Sequence, residues 1–204
     1  EKTVEVRAEF LCNNQILFDK NIDVGEIPTL ESLSVESNAQ STKAVLEFHG
    51  GESAAWKRLD DYFWKDDLLK SYKNTRNGLI GKDYSSKFSP WLANGCISAK
   101  SIYFEIKRYE KERIKNSSTY WLFFELLWRD FFKLMTKKYG KSIFLSKGIT
   151  QSELALNDDS NAFIAWKRGE TGQSFIDANM KELYCTGFIS NRGRQNVASY
   201  LVHD

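Results

Sequence analysis

Two periods divide the chain. Up to about His49 apolar residues alternate with charged ones over short stretches such as Thr3-Val4-Glu5-Val6-Arg7, interrupted by the turn pair Asn13-Asn14 and a mostly polar run from Ser34 to Lys43. From Gly50 onward the apolar positions take a helical spacing. Trp56, Leu59 and Phe63 recur at i, i+3 and i+7 and predict a helix that extends to about Tyr72. Ile102, Ile106 and Tyr109 predict another, opened by Ser98 as N-cap and carried to about Lys115. Ser117 or Ser118 caps the next, which runs to Tyr139 with Gly140 as its stop. Shorter helices are expected over residues 163–168, closed by Gly169, and over 175–183, where Ile176, Met180 and Leu183 share a stripe. Ser190 opens the last helix, with Asn191, Arg194, Ala198 and Leu201 on one face. It reaches Asp204 without a stop signal, so the chain reads as cut in mid-helix. No run of β-branched residues after Gly50 is long enough for a sheet. The expected fold is all-α over residues 49–204, preceded by an irregular linker or extension over residues 1–48.

Composition narrows the chemistry. With 42% hydrophobic and 27% charged residues and a formal charge of +2, the 204-residue chain lies far from the composition of disordered segments. No uncharged apolar run approaches the ~20 residues that cross a bilayer, so a membrane span is not expected. Cys12, Cys96 and Cys185 are too widely spaced to read as a zinc ligand set or a disulfide framework, which favours a reducing, intracellular setting. His49 and His203 are the chain's two histidines, so a multi-histidine metal centre is excluded and histidine-based hydrolysis is disfavoured. Aromatic residues make up 14% of the chain, six of them tryptophan. That suits helices packed around something broad and flat, whether a flavin, a nucleobase or a core.

Three stretches carry chemistry. Residues 72–89 set Lys73, Arg76, Lys82 and Lys87 against one acid, Asp83, with hydroxyls on Ser85, Ser86 and Ser89 and with Ser89-Pro90 reading as an N-cap followed by proline. A helix start beside serines and a lysine suits phosphate, and an ordinary solvated loop with a common cap has the same composition. Residues 120–135 are apolar almost all round, which predicts a central, buried helix. Glu125 within it needs a partner, and Arg129 at i+4 is available for an internal ion pair. Alternatively Glu125 and Trp128, three residues apart, line a cavity in which an aromatic platform and a carboxylate meet a flat polar ligand. Residues 186–196 put Arg192 and Arg194 in the first turns of a helix, against the macrodipole, beside the amides of Asn191, Gln195 and Asn196. That placement costs stability unless the arginines meet an anion.

The strings Gly50-Gly-Glu-Ser-Ala-Ala, Thr75-Arg-Asn-Gly, Asp83-Tyr-Ser-Ser-Lys-Phe-Ser-Pro-Trp-Leu, Phe124-Glu-Leu-Leu-Trp-Arg-Asp-Phe-Phe and Ser190-Asn-Arg-Gly-Arg-Gln resemble the cryptochrome/photolyase family, closest to its DASH branch. The resemblance covers about Phe48 to Asp204. It implies the first part of a helical domain that binds flavin adenine dinucleotide, with the N-terminal α/β antenna domain, its folate antenna and the C-terminal part of the helical domain lying outside this chain. The family's phosphate-binding positions fall on Tyr72, Ser85, Ser86, Lys87 and Ser89, and its flavin-side residues on Arg129, Asn191 and Arg194. Its catalytic contacts to a cyclobutane pyrimidine dimer fall on Glu125 and Trp128, with Asn191 between flavin and lesion; Trp128, Arg192 and Gln195 face DNA.

The resemblance therefore implies a blue-light-driven DNA photolyase using reduced FAD, acting on dimers in single-stranded DNA and located in the cytoplasm or, in a eukaryote, an organelle. Rival readings are a non-enzymatic blue-light receptor and a helical fragment that has lost its cofactor. Two positions depart from the family. Leu156 stands where the outermost relay tryptophan is usual, and Gln173-Ser174 stands where Tyr-Pro usually precedes a helix. The missing part further implies that this chain by itself is inactive, exposes apolar surface and self-associates.

Overall fold

The computed structural model describes Glu26 and residues 28–36, 41–152 and 159–203. Leu156 lies outside these residues. The chain forms two units, Glu1–Ala39 and Gln40–Asp204. In the first, residues 29–35 make a tight turn in which the Leu33 and Val35 amides donate to Thr29 and Leu30 and the Ser32 hydroxyl to Thr29.

The second unit carries helices and no strand among the described residues: α1 (Glu52–Asp60), α2 (Tyr72–Thr75), α3 (Ser89–Ala93), α4 (Ala99–Glu112), α5 (Ser117–Tyr139), α6 (Ser160–Arg168), α7 (Ser174–Thr186) and α8 (Asn191–His203). Leu59 and Phe63 are buried as their spacing requires, yet the first helix does not run on to Tyr72. It passes into a π-helical turn, Asp61–Lys65, which buries both Tyr62 and Phe63, and then breaks at Asp67, whose φ of 54° no helix accepts. Leu69–Ser71 forms a short 3₁₀ turn that leads directly into α2.

Helix α4 keeps the predicted start, with Ser98 Oγ accepting from the Ser101 amide, and ends three residues early at Glu112. Ile102, Ile106 and Tyr109 are fully buried on one stripe. At α5 the cap is Asn116, not Ser117 or Ser118. Its Oδ1 accepts from the Ser118 and Thr119 amides while Thr119 Oγ1 accepts from the Asn116 amide, a reciprocal capping box. The predicted all-round burial of α5 does not hold: its first half buries one stripe, with Tyr120 exposed, and its second half buries none of its large apolar side chains. Leu122 and Leu126 are buried, whereas Leu127, Trp128, Phe131, Phe132 and Leu134 are exposed.

Further along, α6 opens at the Asp159 side chain and closes at a left-handed Gly169. Helix α7 starts at Ser174 despite the absent Tyr-Pro, because the Asp177 carboxylate gathers the Thr171 hydroxyl and the Thr171 and Gly172 amides. In α8 the residues expected to share a face, Asn191, Arg194, Ala198 and Leu201, are exposed; the buried ones are Gly193 and Val197.

Two apolar clusters organise these elements. Leu59, Tyr62, Phe63, Tyr72, Phe88 and Trp91 join the buried faces of α4 and α5 in one, with Leu46 and Phe48 packed against it. Ile176, Met180, Ile189 and Val197 form the other between α7 and α8. At about 1.5–3 kcal/mol for each large apolar side chain fully buried, these contacts outweigh local propensity in fixing where the short helices lie.

Candidate cofactor and nucleic-acid site

Tyr72, at the first position of α2, is almost wholly buried, and its hydroxyl donates to Glu125 Oε2 on α5. Arg76 Nη1 donates to the other oxygen, Oε1, at 2.7 Å. The partner expected from sequence, Arg129, lies elsewhere: Nη2 reaches the Leu92 carbonyl at 3.4 Å and Nη1 lies 3.6 Å from Asp130. The carboxylate thus takes two donors from α2 and its C-terminal edge, leaving it partly exposed rather than locked in a core. Burial pushes the Tyr72 phenol far above its ordinary value, and the adjacent Glu125 charge pushes it further, so Tyr72 stays a proton donor. The Arg76 guanidinium also lies 4.9 Å over the Trp121 ring.

The serine-rich loop is built differently from the predicted cap. Phe88 occupies the N-cap position of α3, Ser89 and Pro90 are its first two residues, and no side chain caps it. A five-residue helix contributes little macrodipole, so the loop itself must supply any anion site. Arg58, which reads in sequence as part of the polar face of α1, is buried beneath that loop. Its Nε donates to Ser86 O at 3.0 Å, and its Nη2 donates to Lys82 O at 2.7 Å and Ser85 O at 3.2 Å. The next residue, Lys87, has a φ of 56° and is itself buried. Its ammonium lies 4.9 Å over the Phe188 ring with no carboxylate at ion-pair distance among the described residues. Burial lowers its pKa and the Arg58 charge lowers it further, against Glu182 and Asp83. Burial in turn raises the Glu182 carboxyl, against the pull of Lys87.

At α8, the Ser190 hydroxyl accepts from the Gly193 amide at 2.9 Å and starts the helix. Arg192 bridges Gln195 Oε1 and Asn77 Oδ1, both at 3.2 Å, so the loop that carries Arg76 also touches α8. Asn191 and Arg194 are exposed beside it. Trp128 is 45% exposed, edge-on to Phe124 and Phe131 of its own helix. The structure therefore joins Tyr72 to Glu125 directly and Arg192 to Gln195, while Trp128, Arg129 and Lys87 keep separate surroundings. Sequence reading missed Arg58, and it missed the role of Arg76 as the partner of Glu125.

The chain has known relatives. The family described as FAD binding domain of DNA photolyase matches residues 121–204. A cryptochrome DASH from Gloeobacter violaceus is 53% identical over 180 residues, which cover 88% of this chain and 36% of that protein. One from Xenopus laevis is 51% identical over 183 residues, 90% of this chain and 35% of the relative. The crystal structure of the Synechocystis sp. PCC6803 cryptochrome superposes with a TM-score of 0.81 at 53% identity, over 85% of this chain and 36% of that one. The chain belongs to the DASH branch of the cryptochrome/photolyase family. It spans about a third of the length of the curated DASH relatives named here. A bacterial class III photolyase from Agrobacterium tumefaciens shares the helical fold at 31% identity and a TM-score of 0.67, over 74% of this chain. The all-α expectation agrees with these matches, and the helices described here are those of the photolyase FAD-binding domain.

The residues present fit the phosphates of such a cofactor. The amides of Ser86 and Lys87 and the hydroxyls of Ser85, Ser86 and Ser89 donate to no group among the described residues, while Lys87 brings an unpaired, buried cation beside them. No helix among the described residues is long and apolar enough to cross a membrane.

Proposed function

We propose that this chain supplies the lesion-facing and phosphate-binding parts of a DASH-type DNA photolyase that repairs cyclobutane pyrimidine dimers in single-stranded DNA under blue light. The observation that carries the reading is the Glu125 carboxylate, held partly exposed by Tyr72 and Arg76, with an exposed Trp128 three residues along the same helix. A carboxylate fixed by two donors is aimed, and an indole with no polar partner among the described residues offers a stacking face; an extruded pair of bases needs both.

Ser85, Ser86, Lys87 and Ser89 would hold the FAD phosphates, with Arg129, Asn191 and Arg194 on the flavin side; Tyr72, whose one hydroxyl proton goes to Glu125, serves that site by fixing the carboxylate. Reduced FAD, when bound, supplies on blue-light excitation the electron that opens the dimer. The chain's own share is placement. Trp128 stacks against the dimer, Glu125 hydrogen-bonds its bases, Asn191 sits between flavin and lesion, and Arg192 with Gln195 meets the flanking strand. A single-stranded substrate spares the cost of unpairing. A folate antenna belongs to the α/β domain of the complete protein.

The test is light-dependent repair of a dimer-containing single-stranded oligonucleotide by the full-length protein and its Trp128→Ala form. Stacking contributes roughly 1–3 kcal/mol per base, so the variant should bind the damaged strand about tenfold or more weakly. Unchanged binding and repair would remove Trp128 from the site. A wild type that retains flavin yet repairs nothing would favour the blue-light receptor.

A further inference from the structure

The serine-rich loop owes its polarity to a residue outside it. The Arg58 side chain is 5% exposed and lies 5.1 Å from the Tyr62 ring centre, so it has no rotamer freedom left for solvent. It accounts for the loop's inward carbonyls one by one: those of Lys82, Ser85 and Ser86 accept from it, and Asp83 Oδ1 lies 3.4 Å from Nη1. All peptide bonds here are trans. In a planar trans peptide the N–H points away from the C=O of the preceding residue. Fixing the carbonyls of Ser85 and Ser86 on the guanidinium therefore turns the amides of Ser86 and Lys87 to the opposite edge of the loop. Neither amide donates to any group among the described residues. Lys87, at φ 56°, holds a conformation that a residue other than glycine keeps only when its surroundings impose it. Successive amides turned outward through a left-handed residue form an anion-binding concavity.

We infer that Arg58 is the positioning residue of the FAD-phosphate site: by gathering the carbonyls of Lys82, Ser85 and Ser86 it presents the Ser86 and Lys87 amides to the pyrophosphate without touching it. This rests on the proposed role of the loop in holding FAD. Lysine cannot replace arginine in this role, because a single ammonium with three donors cannot span carbonyls that a planar five-donor fork reaches in several directions.

The experiment compares dissociation constants of the full-length apoprotein for FAD, ADP and riboflavin in wild type, Arg58→Lys and Arg58→Gln, with cooperative thermal unfolding as the check on folding. Riboflavin lacks the pyrophosphate. Arg58→Lys should weaken FAD and ADP about tenfold or more, the low end of what outer partners of ligating groups contribute at metal sites, and leave riboflavin unchanged. Equal weakening of FAD and riboflavin, or no weakening of FAD, overturns the inference. If Lys87→Met with Ser85→Ala also leaves FAD affinity unchanged, it is the reading of the loop that has failed. A measurement on the wild type needs no variant: the Ser86 and Lys87 amide resonances should shift on adding ADP and stay fixed with riboflavin. Their indifference to ADP overturns the inference.

Discussion

Asp67 illustrates how one side chain can close a turn. Its φ of 54° is unfavourable for a residue with a Cβ, and it persists because Oδ1 accepts from the Tyr109 hydroxyl at 2.6 Å and Arg113 Nη1 at 2.7 Å while Oδ2 accepts from Lys70 at 2.6 Å. Burial pushes the carboxyl up, but these donors outweigh it and hold it at about 2, below its ordinary 3.8. The sign follows directly. A group whose folded pKa is depressed adds stability that is fully present above about pH 4 and is lost as pH falls toward 2. Thermal midpoints measured across that window should drop more steeply for wild type than for Asp67→Asn; parallel curves would show that the turn draws nothing from this charge. Glu125 takes two donors where Asp67 takes three, and it stays partly exposed.

Among elements, the approach of α7 to α8 depends on one absent side chain. A Cβ at Gly193 would lie 2.0 Å from Asn179 Oδ1, and Asn179 is buried with its amide nitrogen donating to Phe175 O at 2.8 Å. Gly193→Ala should therefore force α7 and α8 apart and destabilise the chain by roughly 1–3 kcal/mol, even though alanine is the better helix former. Urea denaturation would show it as a lower midpoint, and an unchanged midpoint would mean that Asn179 moves aside freely.

What was legible at this scale was the local signal. Ser98 as a cap, the Ile102–Ile106–Tyr109 stripe, and Gly169 as a stop all act within one helical turn of themselves. The cap of α5 fell to Asn116 because a short carboxamide reaches the Ser118 and Thr119 amides better placed than either serine in the run that follows. The partners of Glu125 were invisible for a different reason. The i, i+4 rule proposes Arg129, whereas Tyr72 and Arg76 arrive from α2 and its end through tertiary packing. Arg58 was hidden likewise: beside Lys57 it looks like one more cation on a wet face, and only the loop folded over it reveals otherwise.

For the molecule as a whole, the second half of α5 stands out. Phe132 and Leu134 are 60% and 65% exposed, and with Leu127, Phe131 and Trp128 they form an aromatic and aliphatic band. Apolar bands of this kind seldom face water in monomers. The 204-residue chain on its own should bind a hydrophobic dye and sediment above its monomer mass, and a clean monomer with no dye response would contradict that. The family's helical character was legible from the spacing of apolar residues after Gly50. The burial pattern of α5 was not, because a helix that is apolar all round looks the same in sequence whatever covers it.

The π-helical turn at Asp61–Lys65 carries a consequence for how this sequence tolerates changes in length. A π turn is an α-helix with one residue too many, and the surplus lets the consecutive residues Tyr62 and Phe63 both face the core. Removing any one residue from it would restore ordinary winding and swing one of those two rings through about 100°, away from Phe88 and Tyr109 or away from Tyr72. Substitutions within 61–65 are absorbed one side chain at a time; a single-codon deletion there resets the register of everything that leads into α2.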